Sequence, residues 1–314
     1  MAGIGAPRFF VQDDGAKLAY EVLGPQHIRR AQPLVLVGGL SSLRGDWEML
    51  ALCLANDRPV LIFDHRGMGD STLSESSNET ISIESMARDL VSLIAFLEWK
   101  SVAICGFSMG GLVTQQLLFL PYLAVNPVSL PFSVTHVLLT GSLTGPLRDK
   151  RYGLKIAKAP AGRKLTWQEK RELARPMLES SFDPEWLVDP TNSKRLDWWL
   201  DRMVQGRSAI KMIILMQARA VNSVSLDRYY TRLPRSIRAL VIHGIRDAVV
   251  PFTCAQDIID RIPWAKMVDI GPNTGQVPSL DFGHHWWEYF DIGVWRGVIN
   301  GFLNERVDNP SSRL

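Results

Sequence analysis

Gly106-Phe107-Ser108-Met109-Gly110-Gly111 follows the apolar run Val102-Ala103-Ile104-Cys105 and precedes the apolar stretch Leu112 to Leu120. A serine at a sharp passage from buried strand to helix sits in a strained backbone conformation. Glycines two residues to either side, Gly106 and Gly110, leave room for neighbouring backbone. The chemistry this suits is nucleophilic attack on an acyl carbon. A serine hydroxyl attacks poorly until a base takes its proton, and the base needs a carboxylate to orient it and stabilise its positive charge. Both follow in the chain, in the order Ser, acid, His. Asp247 stands in His243-Gly244-Ile245-Arg246-Asp247-Ala248-Val249-Val250-Pro251, just after a buried run, and Asp281-Phe282-Gly283-His284-His285 offers two imidazoles. A developing oxyanion also needs backbone N–H donors, and Met109, directly after the serine at a helix start, is placed to supply one.

These residues need a frame. Arg8 to Gln12 and Leu18 to Leu23, separated by Asp13-Asp14-Gly15, read as a hairpin. Leu34-Val37, Val60-Phe63 and Val102-Cys105 are continuous apolar runs, the pattern of strands buried on both faces, and His136 to Thr140, Arg238 to Ile242 and Lys266 to Ile270 are further candidates. Ile83 to Trp99 places Met86, Leu90, Leu93, Ile94 and Leu97 at helical spacing. Strands alternating with helices imply a mainly parallel sheet covered on both faces. Between Gly145 and Leu233 the alternation stops, and helices are expected around Lys150 to Lys158, Thr166 to Ser180, Ser193 to Val204 and Ser208 to Val221. The division expected is a core of residues 1–144 and 234–314, with residues 145–233 as a helical cap roofing a pocket.

Composition fits an ordinary globular chain. In 314 residues, hydrophobic side chains make up 46% and charged ones 21%, which excludes disorder, and the length allows one large domain with an insertion. No apolar run reaches the length of a membrane span, and Met1 to Gln12 lacks the pattern of a secretory leader. Cys53, Cys105 and Cys254 are odd in number and far apart, and are read as buried free thiols. The net charge of +3 hides a segment, Arg148 to Arg175, that carries +7. That segment reads as a solvated helical face or as a basic entrance for anionic substrates. No nucleic-acid motif accompanies it, and nothing among these residues calls for a cofactor or metal.

From Phe10 to Leu303 the chain resembles the α/β-hydrolase superfamily, in the branch of capped esterases, lipases and lactonases. The resemblance implies an eight-stranded, mainly parallel sheet with a helical cap. It assigns Asp247, beyond the seventh strand, as the triad acid, and His284, the histidine that follows Gly283, as the base in preference to His285. It puts the second oxyanion donor after the third strand, where the family often reads His-Gly-X. This chain reads Val37-Gly38-Gly39-Leu40, so Leu40 N–H is the expected donor, and glycine replaces the histidine whose hydrogen bonding stiffens that loop. Asp64-His65-Arg66-Gly67-Met68-Gly69-Asp70-Ser71 resembles the loop after the fourth strand and is expected to be structural, braced by Arg66. A serine at position 108 disfavours the dehalogenase and epoxide-hydrolase branches, which use a carboxylate there.

The expected activity is therefore a serine hydrolase acting on a carboxylic ester, lactone or thioester of a small or medium hydrophobic acyl group, an EC 3.1 class enzyme. Two alternatives are a thioesterase or acyltransferase on coenzyme A esters, which the basic segment favours, and a catalytically idle binding protein on the same fold. Trp167, Trp186, Trp198, Trp199, Trp286 and Trp287 are candidates to line the site, with at most one of each adjacent pair facing it. The terminal Ser312-Arg313-Leu314 resembles a peroxisomal address read by an import receptor; without such import the expected location is the cytoplasm.

Overall fold

Strands β1 (Arg8–Val11) and β2 (Lys17–Leu23) pair antiparallel, and the turn between them closes on Gly15, whose φ of 85° suits glycine. The structure, a computed structural model, describes residues 4–75, 80–155, 157, 160, 163–207 and 211–305. The chain continues through β3 (Leu34–Val37), α1 (Glu48–Leu54), β4 (Val60–Phe63), α2 (Ile83–Phe96), β5 (Ser101–Phe107), α3 (Met109–Phe119) and β6 (Ser133–Thr140). After β6 come α4 (Trp167–Glu179), α5 (Pro184–Val188), α6 (Ser193–Arg207) and α7 (Lys211–Ser223). The chain then returns to the sheet with β7 (Arg238–Ile242), α8 (Thr253–Arg261), β8 (Lys266–Met267) and α9 (Ile292–Asn304).

The eight strands form one sheet in the order β1-β2-β4-β3-β5-β6-β7-β8, antiparallel at the β1 and β2 end and parallel from β4 onward. Strand periodicity divides the core. Val35 and Val37 face one layer with α2 and α3, whereas Leu34 and Leu36 face the other with α1 and α9. β3 and β4 are buried at every residue, which is why their sequences are unbroken apolar runs. α3 is also buried at every position, and its polar Thr114 and Gln115 are satisfied by the backbone carbonyls of Gly110, Gly111 and Leu143.

The helices between β6 and β7 have local causes and long-range anchors. Thr166 and Glu169 cap α4 reciprocally, and Asp183 with Pro184 starts α5. Arg171 of α4 pairs with Asp197 and Asp201 of α6. Arg195 of α6 makes a two-pronged bond to Glu288, whose side chain is almost fully buried. Arg202 of α6 reaches Asp46 in the loop after β3 at 3.1 Å.

Several expectations are corrected. Lys150 to Lys155 forms turns and bends rather than a helix, because the segment has no apolar face and Gly153 takes a φ of 108°; Ile156 and Lys158, at the end of that expected helix, lie outside the described residues. The last strand stops at Met267, and Ile270 instead bridges to Val277. Cys105 is buried, but Cys53 and Cys254 are only half-buried. Ser208 to Ile210 and the terminal Ser312-Arg313-Leu314 also lie outside the described residues. No helix among the described residues is long and apolar enough to cross a membrane.

Candidate active site

Ser108 occupies the junction between β5 and α3 with φ 54° and ψ −122°, a region that side-chain-bearing residues rarely adopt. Its neighbours over-determine that conformation. The Ser108 N–H donates to the Thr140 carbonyl at 2.9 Å, and its own carbonyl accepts from Gly111 N–H and from Ser142 Oγ, each at 2.9 Å. A Cβ at Gly106 would stand 2.7 Å from Gly111 Cα, and one at Gly110 would stand 2.7 Å from the Gly38 carbonyl oxygen. Both glycines expected beside the serine are thus required by close backbone.

Asp247 lies in the loop after β7, buried, with each carboxylate oxygen engaged. Oδ1 accepts from the N–H groups of Val249 and Val250 at 2.8 Å each, and Oδ2 accepts from His284 Nδ1 at 2.8 Å. Burial alone would raise the Asp247 pKa. The facing His284, the hydrogen bonds it receives and the nearby His243 outweigh burial and hold the group well below the usual carboxylate range. An ionised carboxylate can only accept, so His284 carries its proton on Nδ1 and Nε2 is left as an acceptor. His243 donates Nε2–H to the Val250 carbonyl at 2.9 Å and stands 3.4 Å from Asp247.

Ser108 and His284 line one cavity together with Leu40, Ser41, Phe107, Leu154, Met177, Trp199 and Met203. The structure distinguishes the two adjacent histidines. His284 bonds Asp247, whereas the His285 ring, which also lines the cavity, packs against Phe182 at 5.3 Å and Trp199 at 4.7 Å. Of the six tryptophans considered, Trp199 lines the cavity. Trp198 instead lies under the Arg195 guanidinium, Trp186 stacks on Phe182, Trp286 packs on Trp295, Trp287 packs on Trp47, and Trp167 is exposed.

The loop Gly38-Gly39-Leu40 lies directly over the serine: a Cβ at Gly39 would come within 2.9 Å of Ser108 Cβ. The stiffening expected to be lost with the family's histidine comes from elsewhere. His65 Nε2 donates to the Gly38 carbonyl at 3.0 Å, and burial pushes the His65 pKa down to about 4, so the ring stays a neutral donor. Leu43 N–H is held by Asp46 at 2.9 Å, Arg44 N–H by Asp64 at 2.7 Å, and Ser41 N–H by Gln217 of α7 at 3.0 Å. Arg66 braces its own loop against Asp89 as expected. Sequence reasoning did not identify Gln217, Asp46, Met177 or Met203, which reach the site only through tertiary packing. In the basic segment Arg151 pairs with Asp149, Arg163 with Glu169, and Arg175 with Glu172 and Glu179.

The family model described as "Alpha/beta hydrolase family" matches residues 34–287. The 3-hydroxybutyrate-oligomer hydrolase of Cupriavidus necator is 28% identical over 267 residues, covering 81% of this chain and 83% of that protein. Among solved structures, the enol-lactonase from Burkholderia xenovorans LB400 superposes with a TM-score of 0.68 at 19% identity, over 95% of this chain and all of the other. The esterase EaEST from Exiguobacterium antarcticum does so with a TM-score of 0.69 at 18% identity, over 95% and 99%. With the family model spanning most of the sheet, the elbow, the acid loop and the histidine loop, this chain is a member of the alpha/beta hydrolase family.

Proposed function

We propose that the chain is a serine hydrolase that cleaves a carboxylic ester, lactone or thioester through an acyl-enzyme on Ser108. The observation that carries this reading is the 2.8 Å bond from His284 Nδ1 to a buried, ionised Asp247, with His284 lining the same cavity as a strained Ser108. In the proposed cycle Ser108 Oγ attacks the acyl carbonyl while its proton passes to His284 Nε2. The N–H groups of Leu40 and Met109 hold the tetrahedral oxyanion. The leaving group takes the proton from His284, and a water activated by His284 then hydrolyses the acyl-enzyme. Asp247 fixes the tautomer and stabilises the imidazolium.

The helices of residues 145–233 act in this reading as the cap. Met177, Trp199 and Met203 of these helices, with Leu154 from the non-helical segment before them, line the cavity beside Ser108. That lining suits a small or medium hydrophobic acyl group. The coenzyme A alternative draws on the net charge of the basic segment, of which Arg151, Arg163, Arg171 and Arg175 are engaged with acids. Turnover of p-nitrophenyl acetate and p-nitrophenyl butyrate, beside thiol release from acetyl-coenzyme A, tests the class. Ester cleavage lost in His284→Ala supports it, and cleavage of neither ester nor thioester contradicts it.

A further inference from the structure

α7 sends one polar side chain into the core beside the proposed oxyanion loop. Gln217 is wholly buried, and its Oε1 accepts the Ser41 N–H at 3.0 Å across 176 residues of sequence. Ser41 itself has a φ of 63°, a left-handed conformation uncommon for a residue with a side chain, and it directly follows Leu40. Both residues line the cavity. Only the carbonyl oxygen of the amide can accept an N–H, so the bond fixes which way Gln217 faces. Its Nε2 is buried without a hydrogen-bond partner among the described residues. A buried amide kept with its donor unsatisfied is an arrangement cores avoid, so the acceptor must serve a purpose that an apolar side chain could not.

We infer that Gln217 is a positioning residue for the oxyanion loop. By holding Ser41 in its left-handed conformation it aims the preceding Leu40 N–H at the oxyanion, so that the seating of α7 on the sheet and the order of the loop are coupled. The second inserted helix that reaches this loop acts at its far end, where Arg202 of α6 engages Asp46 and Asp46 holds Leu43 N–H. This inference rests on the acyl-enzyme reading above. The acceptor is the part of Gln217 that matters, so glutamate, which also accepts, substitutes for it, whereas the similarly sized methionine does not.

The test is the second-order rate of Ser108 phosphonylation by a fluorophosphonate between pH 5 and 9, followed by intact mass on the full chain. Thermal unfolding is measured in parallel. In Gln217→Met the plateau rate falls about 10- to 100-fold, less than or comparable to removal of an oxyanion donor. The pH midpoint set by the base stays where it is in wild type, and all molecules are eventually modified. Gln217→Glu recovers most of the lost rate. Gln217→Met reacting at the wild-type rate, a moved pH midpoint, or Gln217→Glu as slow as Gln217→Met would each overturn the inference. Should Gln217→Met fail to fold, the Gln217→Glu rate decides. A folded wild type that takes no adduct from the fluorophosphonate or from a reagent small enough for the cavity sinks the acyl-enzyme reading and this inference with it, whereas a reactive wild type with an indifferent Gln217→Met sinks this inference alone.

Discussion

The carboxylate of Asp247 is divided between two tasks: Oδ2 takes the Nδ1 proton of His284 at 2.8 Å, while Oδ1 is occupied by the N–H groups of Val249 and Val250. This division predicts the behaviour of Asp247→Asn. The two backbone N–H groups force the amide oxygen into the Oδ1 position, which leaves the amide NH₂ facing His284. His284 must then accept at Nδ1 and carry its proton on Nε2, where it can no longer take one from Ser108. The variant folds, and its ester turnover near neutral pH falls about 10⁴-fold, the usual consequence of the wrong tautomer. Steady-state kinetics with p-nitrophenyl butyrate checks this.

Gly110→Ala tests the fit between the elbow and the oxyanion loop. The added methyl meets the backbone carbonyls of Val37 and Gly38, which cannot rotate aside as a side chain could. The expected outcome is a loss of about 1–3 kcal/mol in stability, typical of overpacking. Turnover falls further than that loss explains, since the loop proposed to present Leu40 N–H is displaced. Urea unfolding and kinetics on the same preparation separate the two effects.

Asp64 supplies a pH prediction. Burial raises its pKa to about 6, despite the hydrogen bonds it accepts from Arg44 and Asp70 N–H. The native state therefore binds the proton more tightly than the unfolded chain does. Between about pH 4 and 6 the native Asp64 is protonated while the unfolded one is not, so stability falls as pH rises through that window and levels off above it. Relative to Asp64→Asn, wild type loses on the order of 3 kcal/mol across this range, at about 1.4 kcal/mol per pKa unit. Denaturant midpoints of both proteins at pH 4, 5, 6 and 7 give the answer.

Met203 predicts acyl-chain selectivity. It lines the small cavity beside Ser108, so Met203→Ala opens space on the acyl side. The ratio of kcat/KM for p-nitrophenyl hexanoate over acetate rises about 10- to 100-fold, the range that one to a few methylenes command in an apolar pocket. An unchanged ratio places the acyl group elsewhere.

How much of this was legible in the sequence depends on the range of the interactions. Leu34–Val37 and Val60–Phe63 read as buried strands because burial on both faces leaves an unbroken apolar run, and the structure has them with the same bounds. Ser108 was readable because its strain needs local companions, the glycines at 106 and 110. The choice between His284 and His285 needed more than composition. The family resemblance favoured His284, and the ring geometry, which no local pattern encodes, brings that residue to Asp247. α1, α5 and α8 are short and went unassigned, and the helix expected around Lys150 to Lys158 is absent where Gly153 takes a left-handed φ. His65 and Gln217 carry no local signal. Each meets the loop after β3, at Gly38 and at Ser41, only after distant elements have packed.

The most direct measurement of the central claim is intact mass after exposure to a fluorophosphonate, run on wild type and on Ser108→Ala. The account predicts a single phosphonyl adduct on wild type and none on Ser108→Ala. An unmodified, folded wild type that also resists a reagent small enough for the cavity, or an adduct that persists in Ser108→Ala, would contradict it.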